Sequence, residues 1–140
     1  MNPDTRYKAD KSLDNLMNLK NPNRWFLLLS SFIMISIAAV AYILPGRIPF
    51  AGEGMPVLLY RVNYAVLTWI VLIAGNMFLL RTYAVLSGWI MIFFVLCNWM
   101  HFFPDTLFHF TVGDNLLHTN IGLISIFIAV MYGNDATGNE

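Results

Sequence analysis

Four continuous apolar runs, at 25–44, 62–80, 83–103 and 116–132, divide the chain, with short polar or proline-marked segments between them. Each run is roughly 17 to 21 residues, enough for a helix to cross about 30 Å of hydrocarbon. None alternates apolar and polar residues in steps of two, which argues against a membrane β-barrel. Asn21-Pro22-Asn23-Arg24 opens the first run and Pro45-Gly46 closes it, since proline lacks the amide donor a helix needs to continue. Arg81 ends the second run, and Arg81-Thr82 is the whole connection to the third, so these two spans form a tight antiparallel hairpin. Pro104 follows the third run and Gly133 the fourth. The pattern predicts an all-α, four-helix transmembrane bundle: a tail at 1–24, a membrane domain at 25–132 and a short tail at 133–140.

Lys and Arg set the orientation, because they resist transfer across the membrane. Arg6, Lys8, Lys11, Lys20, Arg24 and Arg81 fall on one side, against Arg47 and Arg61 on the other. Both termini are therefore expected in the cytoplasm, with the 45–61 and 104–114 loops outside. The first run has too long a polar lead and no small-residue cleavage site, so it reads as a permanent span and not a signal peptide. Within the tail, Leu13, Leu16, Met17 and Lys20 recur at helical spacing. Residues 10–20 read either as a helix lying on the membrane surface or as a disordered linker. Trp25, Tyr42, Tyr60, Tyr64, Tyr83, Trp99 and Tyr132 gather near the predicted edges as an aromatic belt, whereas Trp69 and Trp89 lie deeper and are expected to pack between helices.

Composition sharpens this picture. Apolar residues make up 58% of the chain and charged residues 11%, against about a quarter in a soluble domain. The formal net charge is zero. These values exclude a water-soluble catalytic domain, a nucleic-acid binder with a basic surface and a disordered tail protein. The single cysteine, Cys97, lies inside an apolar run and has no partner for an intrachain disulfide. Asn76 and Thr68 in the second span, Asn98 in the third, and Thr119, Asn120 and Ser125 in the fourth are expected to hydrogen-bond across helices. No ionisable group falls at the middle of a predicted span, which argues against an ion-coupled transporter.

Polar chemistry gathers instead at the predicted outer end. The segment reads His101-x3-Asp105-x3-His109-x4-Asp114-x3-His118, with Asn98 and Asn115 beside it and no Lys or Arg in the loop. Imidazoles and carboxylates one helical turn apart can share a metal or a proton. His101, His109 and His118 are thus candidate ligands for haem, a chlorophyll-type pigment or, with Asp105 and Asp114, a divalent metal. The spacing matches no zinc signature. The competing structural reading makes Asp114 the N-cap of the fourth span, holding His118 by a charge-assisted hydrogen bond. No cofactor is needed in that reading.

Two motifs carry a family likeness: Arg81-x-Tyr83-Ala84-x-Leu86-x-Gly88 and Asp114-Asn115-x-Leu117-His118-x3-Gly122. Over roughly residues 55–132 the chain resembles a family of small bacterial four-helix integral membrane proteins of unknown function. The resemblance implies the four-span layout and no activity. In that family the second span often starts with a histidine pair four apart; here Tyr60 and Tyr64 stand at those positions. This departure weakens a metal or haem role carried over from the family. It leaves a two-fold echo in which Tyr60, Arg61 and Tyr64 face Asp114 and His118, with an Arg61–Asp114 pair at the rim. Arg61 is otherwise a lone cation at a helix N-terminus, where the dipole disfavours it.

The expected function is a non-catalytic accessory or scaffold subunit, not an enzyme, packing against other membrane-protein subunits in the lipid bilayer. The expected location is a bacterial cytoplasmic membrane or an internal photosynthetic or respiratory membrane. The alternatives are a redox or pigment-binding subunit using the outer histidines, and a small oligomeric channel or carrier. Neither nucleic acid nor a soluble substrate is expected as a partner.

Overall fold

The computed structural model describes residues 21–45, 52, 54–104 and 107–132. The tail helix expected at 10–20, the 133–140 tail, Arg47 and Asp105 lie outside the described residues. Four helices follow in order: α1 (Pro22–Ile43), α2 (Met55–Ala74), α3 (Met77–Met100) and α4 (Val112–Met131). Each is long and apolar enough to cross a membrane. The fold is an all-α four-helix bundle.

The helix ends follow from local chemistry. Asn21 caps α1, its side chain accepting from the Asn23 N–H, and Pro22 takes the first turn, where its missing donor costs nothing. Gly75 ends α2 in the left-handed region at φ 70°, and Asn76 at once caps α3 by accepting from the Phe78 and Leu79 N–H groups. This two-residue Gly-Asn connection replaces the hairpin turn expected at Arg81-Thr82. Arg81 lies inside α3, Arg61 lies inside α2, and Asn76 is a cap instead of a cross-helix donor. Hydropathy missed the turn because Gly75 and Asn76 are flanked by apolar residues on both sides, whereas caps act through backbone geometry. The turn is also pinned from α1: the Arg24 guanidinium donates to the Gly75 carbonyl at 2.9 Å.

α1 packs along α2 and α3 along α4, while contacts between the two hairpins are thinner. Near the Gly75 end, Leu27, Val71, Leu72, Leu80, Ala84 and Ala129 form a buried cluster; further along, Met34, Tyr64, Met91 and Ile121 form a second. Polar side chains knit the helices together. Ser125 donates to the Ala84 carbonyl at 2.9 Å, the Tyr64 hydroxyl meets Ser30 at 2.8 Å, and Thr68 meets the Tyr83 hydroxyl at 2.9 Å. Such bonds contribute on the order of 0.6 kcal/mol each in a membrane protein. Asn120 bonds the Leu116 carbonyl of its own helix instead. Trp69 is anchored by its indole N–H to Ser31, but Trp89 faces outward and does not pack between helices as expected.

Candidate functional site

The polar end of the bundle is assembled from the starts of α2 and α4 and from the loops beside them. Thr111, not Asp114, is the N-cap of α4. Its hydroxyl accepts from the Asp114 N–H at 3.3 Å, and the Asp114 carboxylate reaches back to the Thr111 N–H at 3.0 Å, which is a reciprocal capping box. Asp114 is therefore the third helical residue, and its carboxylate points into the protein. One oxygen takes the guanidinium of Arg61; the other takes the Gly52 N–H as well as Thr111. Both charged side chains are buried, Arg61 at 0% and Asp114 at 1% exposure.

Arg61 sits six residues into α2, about 9 Å along the helix axis. An unpaired guanidinium there would be very costly, and only an ion pair with well-placed hydrogen bonds offsets the loss of water. The expected Arg61–Asp114 pair is thus present, deeper than the rim. Gly52 is fitted to it. A Cβ on Gly52 would lie 2.6 Å from both the Asp114 carboxylate and the His109 carbonyl, so only glycine lets this loop backbone reach the acid.

His118 lies one turn beyond Asp114 and is completely buried. The expected hydrogen bond between them is absent, because the Asp114 oxygens are taken by Arg61, Gly52 and Thr111. Both ring nitrogens of His118 have no hydrogen-bond partner among the described residues. The ring is held edge-on by aromatic rings instead, Tyr60 at 5.4 Å and Phe110 at 4.8 Å between centroids. Tyr60 also packs against Phe94 and Phe108, so it belongs to an interior aromatic cluster and not to a belt facing lipid. Its hydroxyl, Arg61 Nε and Nη1, and Asn115 Oδ1 are buried without partners as well. Tyr64 turns away to Ser30 and stacks on Tyr83.

The remaining candidate ligands do not join this cluster. His101 is exposed at the end of α3, in the left-handed region at φ 54°, and His109 is exposed in the loop. Among the described residues, no three His, Cys, Asp or Glu side chains come together in a way that could hold a metal ion. Asp105 lies outside the described residues, and of the candidate set His101, His109, Asp114 and His118 do not come together among the described ones. The i, i+4 pattern fails because His101 ends one helix, His109 lies in a loop outside any helix, and Asp114 is already neutralised. Asn98 does cross the gap, donating to the Phe110 carbonyl at 3.2 Å and fixing the loop onto α3. Sequence reasoning missed Gly52, Thr111 and the Phe94–Phe108–Phe110 cluster. Only Thr111-x-x-Asp114 carried a readable signal, as a capping-box pattern.

The geometry predicts how His118 behaves. Truncation by His118→Ala removes a ring packed between two aromatics and is expected to lower stability by about 2–4 kcal/mol. His118→Leu removes the two unpartnered nitrogens while filling most of the space, and is expected to stay within about 1.5 kcal/mol of the parent. Unfolding in mixed detergent micelles measures both. A loss for leucine as large as that for alanine would mean that a ring nitrogen has a bonding role.

Fold and site define a polytopic helical membrane protein whose polar end is neutralised from within. No protein-family model, curated protein or solved structure matches the chain. The two sequence motifs meet in space: Gly88 of the first lies against Gly122 of the second.

Proposed function

We propose that the chain is a non-catalytic integral membrane accessory or scaffold subunit that packs against a larger membrane complex. The observation that carries this reading is the balance of its surface. In the four spanning windows only 28–39% of residues are buried within the chain, and large apolar side chains such as Phe32, Ile70, Trp89, Phe93, Leu123 and Phe127 face outward from all four helices. Buried polar groups, by contrast, are turned inward on Asp114, Ser30 and Ala84, which leaves contact with lipid and neighbouring helices as the outward face's business. A bacterial cytoplasmic, photosynthetic or respiratory membrane, with both termini on the cytoplasmic side, fits the distribution of Lys and Arg.

Purification in mild detergent tests the reading. The expected result is a membrane protein that co-purifies in fixed stoichiometry and stays bound through a second, differently tagged purification. Elution of the chain alone would count heavily against it. The redox or pigment-binding alternative is favoured by one observation, the two unpartnered nitrogens of buried His118. An absorption band between about 350 and 700 nm in the purified protein, lost in His118→Leu, would support that alternative.

A further inference from the structure

We propose that two copies of the chain pair along the outward face of α2, with the side-chain amide of Asn63 hydrogen-bonded to the same amide of the second copy. This goes beyond the accessory-subunit reading and does not depend on it, since a copy and a foreign subunit can lie on different faces of the bundle.

Asn63 is out of keeping with the surface around it. α2 is 20 residues long, and Asn63 stands about 12 Å past Met55 along an axis of about 30 Å, well inside the hydrocarbon. It is exposed, and its side chain makes no hydrogen bond among the described residues. The side chains of Asn76, Asn98 and Asn120, by contrast, are each bonded to backbone. Hydrocarbon offers an amide nothing to bond, and the asparagine side chain is too short to reach the headgroups as Lys or Arg would. A partner for this amide therefore has to come to it through the membrane.

The surroundings of Asn63 suit a helix. Arg61, Tyr64, Ala65, Thr68, Val71 and Leu72 form the buried side of α2. On the opposite side Leu59, Asn63, Val66, Ile70 and Ile73 face outward in alternating steps of four and three, the a and d rhythm of a two-stranded coiled coil. Every helix of the bundle carries an outward apolar stripe, but among the described residues only that of α2 holds an unbonded amide. A groove of about 280 Å³ opens beside Asn63, between Tyr60 and Leu67 of α2 and Leu86 and Ile90 of α3. A second helix laid on the stripe thus meets a concave bed on one flank and the Phe32–Trp69 pair on the other.

The chemistry of the amide selects a second copy. A primary amide both donates and accepts, so it is its own complement. Copies inserted in one orientation and related by a two-fold axis along the membrane normal run their α2 helices parallel, and a residue on the a/d seam then faces its twin. The Asn63 carbonyl of each copy accepts from the amide N–H of the other, and two bonds form where lipid allowed none. The stripe carries no charge to repel the copy. One asparagine among aliphatic seam residues also fixes the register, because any shift along the helices parts the two amides.

The purified full chain, reconstituted in vesicles of phosphatidylcholine and phosphatidylglycerol, tests the pairing. Single-molecule photobleaching counts the chains per particle across a dilution series in lipid and yields a dimer dissociation constant. Asn63→Leu is expected to raise that constant about tenfold, the worth of two hydrogen bonds of the size usual between membrane helices. Leucine suits both lipid and helix, and circular dichroism of the variant verifies that the bundle is intact. On a Cys97→Ser background, mild oxidation of Val66→Cys is expected to link two chains, because a disulfide needs Cα atoms within about 7 Å and the seam supplies that approach. Leu123→Cys, outward on α4, is expected to stay unlinked. Monomers at every dilution overturn the proposal. So does a dimer whose dissociation constant is unchanged in Asn63→Leu, or cross-linking as strong at Leu123→Cys as at Val66→Cys.

Discussion

Asp114→Ala is expected to destabilise the protein by about 3–5 kcal/mol, because it leaves the Arg61 guanidinium buried with no counter-charge. The same change frees the Gly52 N–H and unmakes the capping box of α4, each a loss of about 1 kcal/mol or more. Asp114→Asn separates the contributions. The amide oxygen can still accept from Gly52 and Thr111, so what is lost is the charge opposite Arg61. Arg61→Met removes that demand from the other side, filling the space with an apolar chain that needs no partner. In the double variant Arg61→Met/Asp114→Asn, the loss is expected to fall short of the sum of the two single losses by about 0.5–3 kcal/mol, the range found for residues in one network. Reversible unfolding in mixed micelles, across the full cycle, measures this. Additive losses would mean that the two side chains act independently, and the buried pair would lose its place as the joint between the hairpins.

The pair was legible in the sequence for a chemical reason. A chain with so few charges offers Arg61 hardly any partner, and an acid at the start of another span is the natural one. The four helices were legible for an equally simple reason, since continuous apolar runs of this length have few other structures in lipid. What escaped was set by backbone geometry. Hydropathy put the second turn at Arg81, the nearest charge, whereas the chain turns where Gly75 adopts a positive φ and Asn76 supplies a cap. Spacing likewise put His118 within reach of Asp114, and the fold does place them one turn apart. The bond fails because both carboxylate oxygens are claimed by groups distant in sequence, and Gly52 in particular carries no side chain to announce itself. His101, at the end of α3, and His109, in the loop after it, are exposed, whereas His118 is buried inside α4.

The second large effect is expected where α3 and α4 touch. A Cβ on Gly88 would stand 2.7 Å from the Gly122 carbonyl and 2.7 Å from Ile126 Cγ1; a Cβ on Gly122 would stand 2.8 Å from the Gly88 carbonyl and 3.1 Å from Ile92 Cγ1. The nearest atoms are backbone oxygens, which no rotamer change can move aside, so even alanine must push the helix axes apart. In lipid this separation is not resisted by any release of water from apolar surface. The association rests on van der Waals contact and on bonds such as Ser125 to the Ala84 carbonyl, both of which weaken steeply with distance. Gly88→Ala and Gly122→Ala are each expected to cost about 1–3 kcal/mol, and Gly88→Leu is expected to prevent the stable pairing of α3 with α4. Trp89→Ala, one residue away but facing outward, serves as the control and is expected to change stability by no more than about 0.5 kcal/mol. Thermal unfolding in detergent, read by tryptophan emission for the glycine variants and by circular dichroism for Trp89→Ala, distinguishes the two positions. If Gly88→Leu were as stable as the control, the close approach at Gly88 and Gly122 would contribute nothing to the hairpin, and the meeting of the two motifs would have no packing role.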